Sequence, residues 1–158
     1  MVIYEEEHEL LTQTCERLAR DALPKAIFVV DKDGQLVTST GETQGIDTTG
    51  LASLVAGSTA ATGGLAMMLG EEEFPVHFHE GKHTHVHVSV IAQEMILVVI
   101  FDDRSSLGLV RLRVKRAYSD MNKIYESVQA RMGDDTKKID IFSEITDDDI
   151  DSLFGDAF

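Results

Sequence analysis

Disulfides, cationic charge and a basic leader are all scarce or missing in this chain of 158 residues. Its one cysteine, Cys15, has no internal partner, so no disulfide framework substitutes for a hydrophobic core. The opening Met1-Val2-Ile3-Tyr4-Glu5-Glu6-Glu7 is acidic where a secretory or mitochondrial leader would be basic, and a reducing cytoplasm is the expected compartment. Fourteen Lys and Arg face 28 Asp and Glu, a net charge of -14. Such a chain repels phosphates, which argues against nucleic acid and anionic lipid and for protein partners. Residues 133–158 hold nine acids against two lysines, so half of the excess lies in one short segment.

Charge is absent altogether from Thr48 to Gly70, a run long enough for a membrane-spanning helix. Its Gly, Ser and Thr content argues against insertion, as do its acidic flanks, Asp47 and Glu71-Glu72-Glu73. A helix covered on both faces is expected instead, capped by Asp47 or Thr48. Leu51, Leu54, Val55, Ser58, Leu65 and Leu69 trace a stripe predicted to face the core. On the other flank Ala52, Ala56, Ala60 and Gly64 recur every four residues, with Gly57 and Gly63 beside them. Glycine inside a helix costs about 1 kcal/mol relative to alanine. Close approach of another backbone is a physical reason to tolerate it. The small flank therefore suits either helix–sheet packing or a partner surface, and the second reading is preferred because the other flank already supplies a core stripe.

What is present elsewhere reads as alternating helix and strand. Residues 5–22 form an amphipathic helix, with Leu11, Cys15, Leu18 and Ala22 on its apolar stripe and Pro24 beyond its end. Cys15 is thus expected to be a buried thiol rather than a nucleophile. Ala26–Val30 and Gln35–Thr40 are strands joined by the turn Asp31-Lys32-Asp33-Gly34, whose early glycine and missing later acids exclude an EF-hand. Phe74–His79, His83–Ala92 and Met95–Phe101 are three further strands. The last, apolar at every position from Ile96 to Phe101, is predicted to be central. A final helix runs from about Ser106 to Arg131, with Leu109, Leu112, Ala117, Met121, Ile124 and Val128 on its apolar side. Arg111, Arg113, Lys115 and Arg116 form a basic, solvated face at its start. The fold class is α+β, an antiparallel five-stranded sheet with helices on both faces in the order α-β-β-α-β-β-β-α. Residues 1–132 form the domain and 133–158 an acidic, flexible tail.

His77, His79, His83, His85 and His87 are five of the six histidines. A three-residue loop would pair His79 with His83 and His77 with His85, and would set all the imidazoles on one face of the hairpin. A flat row of this kind encloses no tetrahedron and has no cysteine, so no metal or other cofactor is expected; the row remains a weak alternative as a metal-binding or pH-responsive module. In the tail, acids precede Ile150, Leu153 and Phe154, and Gly155 closes the turn, the pattern of a short amphipathic docking helix.

Several segments, in order, resemble the roadblock/dynein light chain family. They are Val30–Leu36, Ile46–Thr49, Leu51–Leu54, Gly63–Ala66, Phe74-Pro75, Phe78–Gly81, Leu97–Asp102, Ser105–Arg113 and Ile145–Phe154. His79 matches the family histidine, and the other four look like additions. The resemblance implies a homodimer in which the third strands pair across a two-fold and the second helices lie together, with Ala52, Ala56, Phe74, Val76 and Phe78 at the interface. It also implies that a small Ras-like GTPase binds the second-helix surface at Gly57, Ala60, Ala61, Gly64 and Met67. The chain would then activate GTP hydrolysis in bacterial polarity or motility without an active site of its own. Arg111 and Arg113 would lie away from the GTPase, and Ile150, Leu153 and Phe154 would make a second contact that affects nucleotide exchange. Many members of the family only recruit partners, so a non-catalytic scaffold is the rival function.

Overall fold

A computed structural model describes residues 1–143. Its elements follow the predicted order: α1 (Glu5–Ala22), β1 (Ala26–Asp31), β2 (Leu36–Gly41), α2 (Thr48–Met68), β3 (Val76–Glu80), β4 (His85–Ile91), β5 (Met95–Phe101) and α3 (Leu107–Ser143). The strands form one antiparallel sheet in the order β2-β1-β5-β4-β3. β5 is central, as its unbroken apolar run predicts, and all seven of its residues are buried.

Alternation along the strands sorts side chains between two layers. Ile27, Val29, Leu97, Val99 and Phe101 meet α1 and α3, whereas Phe28, Val30, Ile96, Val98 and Ile100 meet α2. On α1 the expected stripe is buried, and burial pushes the Cys15 thiol up to about 12, which leaves it unreactive. On α3 the buried stripe is Val110, Val114, Ala117, Met121, Ile124 and Val128. Leu112 is exposed and Leu109 half-buried, so the predicted stripe is correct from Ala117 onward and displaced before it. The spacing four, three, four, three, four explains the choice, because only that series stays on one face of a helix for five turns.

The end of α3 also differs from the sequence reading. The helix does not stop near Arg131 but continues through Gly133 to Ser143. Pairing with α1 holds the junction. Arg131 reaches Glu6 and Glu7, lies 5.3 Å from the centre of the Tyr4 ring, and is followed by a Tyr4–Asp135 hydrogen bond. Glu7 is itself almost fully buried; it forms an ion pair with Arg131 Nε at 3.0 Å and accepts a hydrogen bond from the Ser127 hydroxyl at 3.3 Å. Ile150, Leu153 and Phe154, the expected tail anchors, lie outside the described residues.

The hairpin register overturns the single row of histidines. Glu80 pairs with His85, His79 with Val86, Phe78 with His87 and His77 with Val88. The connecting loop therefore has four residues, Gly81 to Thr84, and His83 belongs to it rather than to β4. Gly81 helps to fix this loop, since a Cβ there would stand 2.2 Å from the Thr84 carbonyl oxygen. His85 and His87 then share the α3 side of the sheet with Phe78, while His77 and His79 lie on the α2 side. Both faces of β4 are largely buried, so that strand has no solvated face on which all the imidazoles could gather. Among the described residues, no group of three or more His, Cys, Asp or Glu is placed to hold a metal ion.

Candidate partner-binding surface

Helix α2 begins where the Asp47 carboxylate accepts from the Gly50 backbone N–H at 3.0 Å. From there its two apolar flanks compete for the sheet, and the small one wins. Ala52, Ala56 and Ala66 are buried, the first two packing against Ala26, Phe28, Val30 and Ile96. The approach is close: a Cβ on Gly34, in the β1–β2 turn, would stand 3.3 Å from the Ser53 Cα. This packing reverses the core stripe expected from the sequence. Leu54, Met67 and Met68 are each more than three-quarters exposed, and Leu65 and Leu69 are at least half exposed. Ser58 is exposed too, and only Leu51 and Val55 of that stripe pack partly against the core. Volume explains the outcome. Phe28, Ile96 and Ile100 already fill the sheet face, and alanines allow the helix axis to settle onto them where leucines would hold it off.

Ala52 and Ala56, placed by sequence at a subunit interface, are therefore used within the chain and have almost no free surface to offer another copy. Gly57, Ala60, Ala61, Gly64 and Met67 are accessible, side by side with the leucines. Among the described residues no neighbour explains the glycines, because a Cβ built on Gly57, Gly63 or Gly64 meets nothing within 4 Å. The helix thus combines three unfavourable helical glycines with a large apolar surface facing outward. It is also long and apolar enough to cross a membrane by length and composition, with a mean hydropathy of 1.3.

Beside α2, a cleft of about 220 Å³ opens toward β3 and β4, lined by Leu54, Val55, Ser58, Thr59, His79, Val86 and Val88. The Thr59 hydroxyl is buried and has no partner there. β3 borders this region as an edge strand, bonded to β4 on one side only, with Val76 half-exposed and Phe74 and Phe78 half-buried. The other edge, β2, is attended by α1 through His8 Nε2 to the Val37 carbonyl and Thr12 to Thr38, each at 2.9 Å. β3 has no comparable cover among the described residues, and a bare edge can accept another strand.

Cations avoid this surface. α2 carries none, and nearby Lys32 is engaged by Glu94 at 2.9 Å. Arg104 is held between Asp102 and Glu42, whose carboxyls its guanidinium holds below the usual carboxylate range. Arg111 and Arg113 extend from α3, which packs on the opposite face of the sheet. The Asp31 carboxylate, the first acid of the calcium-like turn, accepts from the Asp33 and Gln35 backbone N–H groups, so it serves the turn.

Residues 10–101 match the Roadblock/LC7 domain family. Myxococcus xanthus MglB superposes with a TM-score of 0.76 at 54% identity, over 80% of this chain and 96% of that one. The gliding protein MglB from Thermus thermophilus gives 0.75 at 29% identity with the same coverage. An MglB with a tetrameric arrangement gives 0.75 at 28%, again over 80% and 96%. Comparison with curated proteins returned no match.

Proposed function

The chain belongs to the Roadblock/LC7 family, and from that premise we propose that it is a homodimeric regulator of a small Ras-like, MglA-type GTPase. It acts in the bacterial cytoplasm, concentrated at a cell pole, in polarity or motility. The observation that carries this reading is the outward surface of α2, where exposed Leu54, Met67 and Met68 adjoin glycines whose added Cβ would meet nothing within 4 Å among the described residues. A contiguous apolar patch of this kind on a folded protein marks an interaction surface. Charge-free composition suits a protein partner, and the acidic flanks of the helix disfavour an anionic membrane.

The dimer forms by pairing the uncovered edges of two β3 strands, with Phe74, Val76 and Phe78 along the seam. It brings two α2 helices side by side, and one GTPase docks across them at Gly57, Ala60, Ala61, Gly64 and Met67. Activation proceeds without an arginine supplied to the γ-phosphate. The absence of a cation on α2 and the engagement of Arg104 elsewhere support a mechanism in which the regulator repositions the switch residues of the GTPase itself. The chain thus needs no active site. Ile150, Leu153 and Phe154 make a second contact that affects nucleotide exchange.

Single-turnover GTP hydrolysis by the MglA-type GTPase, with and without this chain, tests the proposal. Acceleration that is lost in Ala60→Arg supports it. Binding without acceleration would leave a scaffold, and no binding would leave the family fold alone.

A further inference from the structure

We infer that the cleft between β3, β4 and the first turns of α3 binds a small amphiphilic monoanion, a straight-chain carboxylate whose head meets Arg111 and whose chain lies along the sheet. The site is on the face away from α2, so it is separate from the surface proposed for the GTPase. Its volume is about 300 Å³, and Val76, His87, Ser89, Arg111, Val114, Lys115 and Tyr118 line it. That size lies at the small end of ligand pockets and accommodates a chain of roughly eight to ten carbons.

The site is built from two periodicities. Arg111, Val114, Lys115 and Tyr118 stand at i, i+3, i+4 and i+7 on α3 and therefore face one way. His87 and Ser89 are two residues apart on β4 and share its α3 side. Both are 2% exposed. His87 Nδ1 and the Ser89 hydroxyl are nonetheless buried without a hydrogen-bond partner. Two orphaned polar groups in one cleft are uncommon, because each costs desolvation that nothing offsets. Burial and the nearby Arg111 charge hold the His87 pKa below its usual range, so the ring is neutral and either tautomer is available to a ligand.

Chemistry narrows the ligand. Val76, Val114 and the body of Tyr118 offer apolar contact, while Arg111 and Lys115 bring positive charge to the rim. A guanidinium matches a carboxylate with two parallel hydrogen bonds, and the Ser89 hydroxyl can donate a third. The net charge of -14 penalises every unit of negative charge that approaches, so a monoanion is favoured over a phosphate dianion. A neutral alcohol would leave the basic rim unused, and acetate would leave the apolar floor uncovered.

The experiment is a titration of the full-length, isotopically labelled chain with decanoate below its micellar concentration, followed by backbone amide spectra. Saturable shifts are expected at His87, Ser89 and residues 111–118. Arg111→Gln, at an exposed position that the fold does not need, should weaken binding at least tenfold. Ser89→Ala should weaken it roughly threefold, and decanol and acetate should each bind at least tenfold more weakly than decanoate. Three outcomes overturn the inference: no saturation at millimolar decanoate, equal affinity for decanol, or shifts confined to the exposed leucines of α2.

Discussion

One sheet carries two unlike helical layers. On one face α1 and α3 interlock through large side chains, with Leu11, Leu18, Met121 and Val128 buried and Arg17 paired with Asp120 at 3.2 Å. On the other face α2 rests on alanines and turns its leucines and methionines outward. The first layer completes its burial within the chain. The second leaves its large residues in water, where they stabilise the chain little; in the function proposed above a partner covers them. The uncharged helix is the one whose large residues stay exposed, so hydrophobicity alone does not separate core from interface; side-chain volume against an already filled sheet does.

Four substitutions would break or sharpen that contrast. Leu11→Ala removes a fully buried side chain from the α1–α3 layer and should cost about 3 kcal/mol in urea unfolding. Leu54→Ala, the same change on α2, should alter the unfolding free energy by no more than about 0.5 kcal/mol while weakening GTPase binding. Arg131→Ala strands the buried Glu7 carboxylate and should cost about 2 kcal/mol, with faster amide exchange from residue 132 onward. Gly63→Ala acts in the opposite direction. The added methyl meets nothing within 4 Å, so the helix should gain up to about 1 kcal/mol, while GTPase affinity falls where the partner approaches the glycine.

The smallest effect concerns pH. The folded His87 pKa lies below the ordinary 6.5, so below that pH the unfolded chain binds more protons than the folded one. Stability is therefore lost as pH falls from 6.5 through the native value. Thermal unfolding at about pH 7.5 and about pH 5.5 should show this loss, and His87→Gln should reduce it.

Much of this was legible from periodicity. Strand β5 announced its central place by an unbroken apolar run, and the Leu11-Cys15-Leu18-Ala22 stripe of α1 is buried as its spacing predicts. α2 was ambiguous because both of its flanks are apolar, and pattern cannot say which meets the sheet when neither is charged. The histidine hairpin failed for a related reason. All the imidazoles were expected on one face, but both faces of β4 are largely buried and can take apolar residues, so the four-residue loop decides the register. Helix α3 outran its predicted end because tertiary partners on α1, far away in sequence, hold the turn around Arg131. The Ser89–Arg111 cleft had no sequence signal, since its residues come from two elements with different periods. The expected GTPase contacts Gly57, Ala60, Ala61, Gly64 and Met67 are all accessible on α2, whereas Ala52 and Ala56, expected at the dimer interface, are taken up by internal packing.

The 37 residues of α3 have a mechanical consequence. At 1.5 Å per residue the helix is a rod of about 55 Å, more than twice the length of the strands it crosses. Ser143, at the end of that rod, is a departure point held at a fixed radius and compass bearing. A single residue inserted after Met132 would swing the departure point by about 100° and advance it by about 1.5 Å, whereas a deletion of seven would preserve the bearing and shorten the arm by about 10 Å. Reach and direction can thus be tuned independently by lengthening or trimming one helix, without touching the sheet or either of its layers.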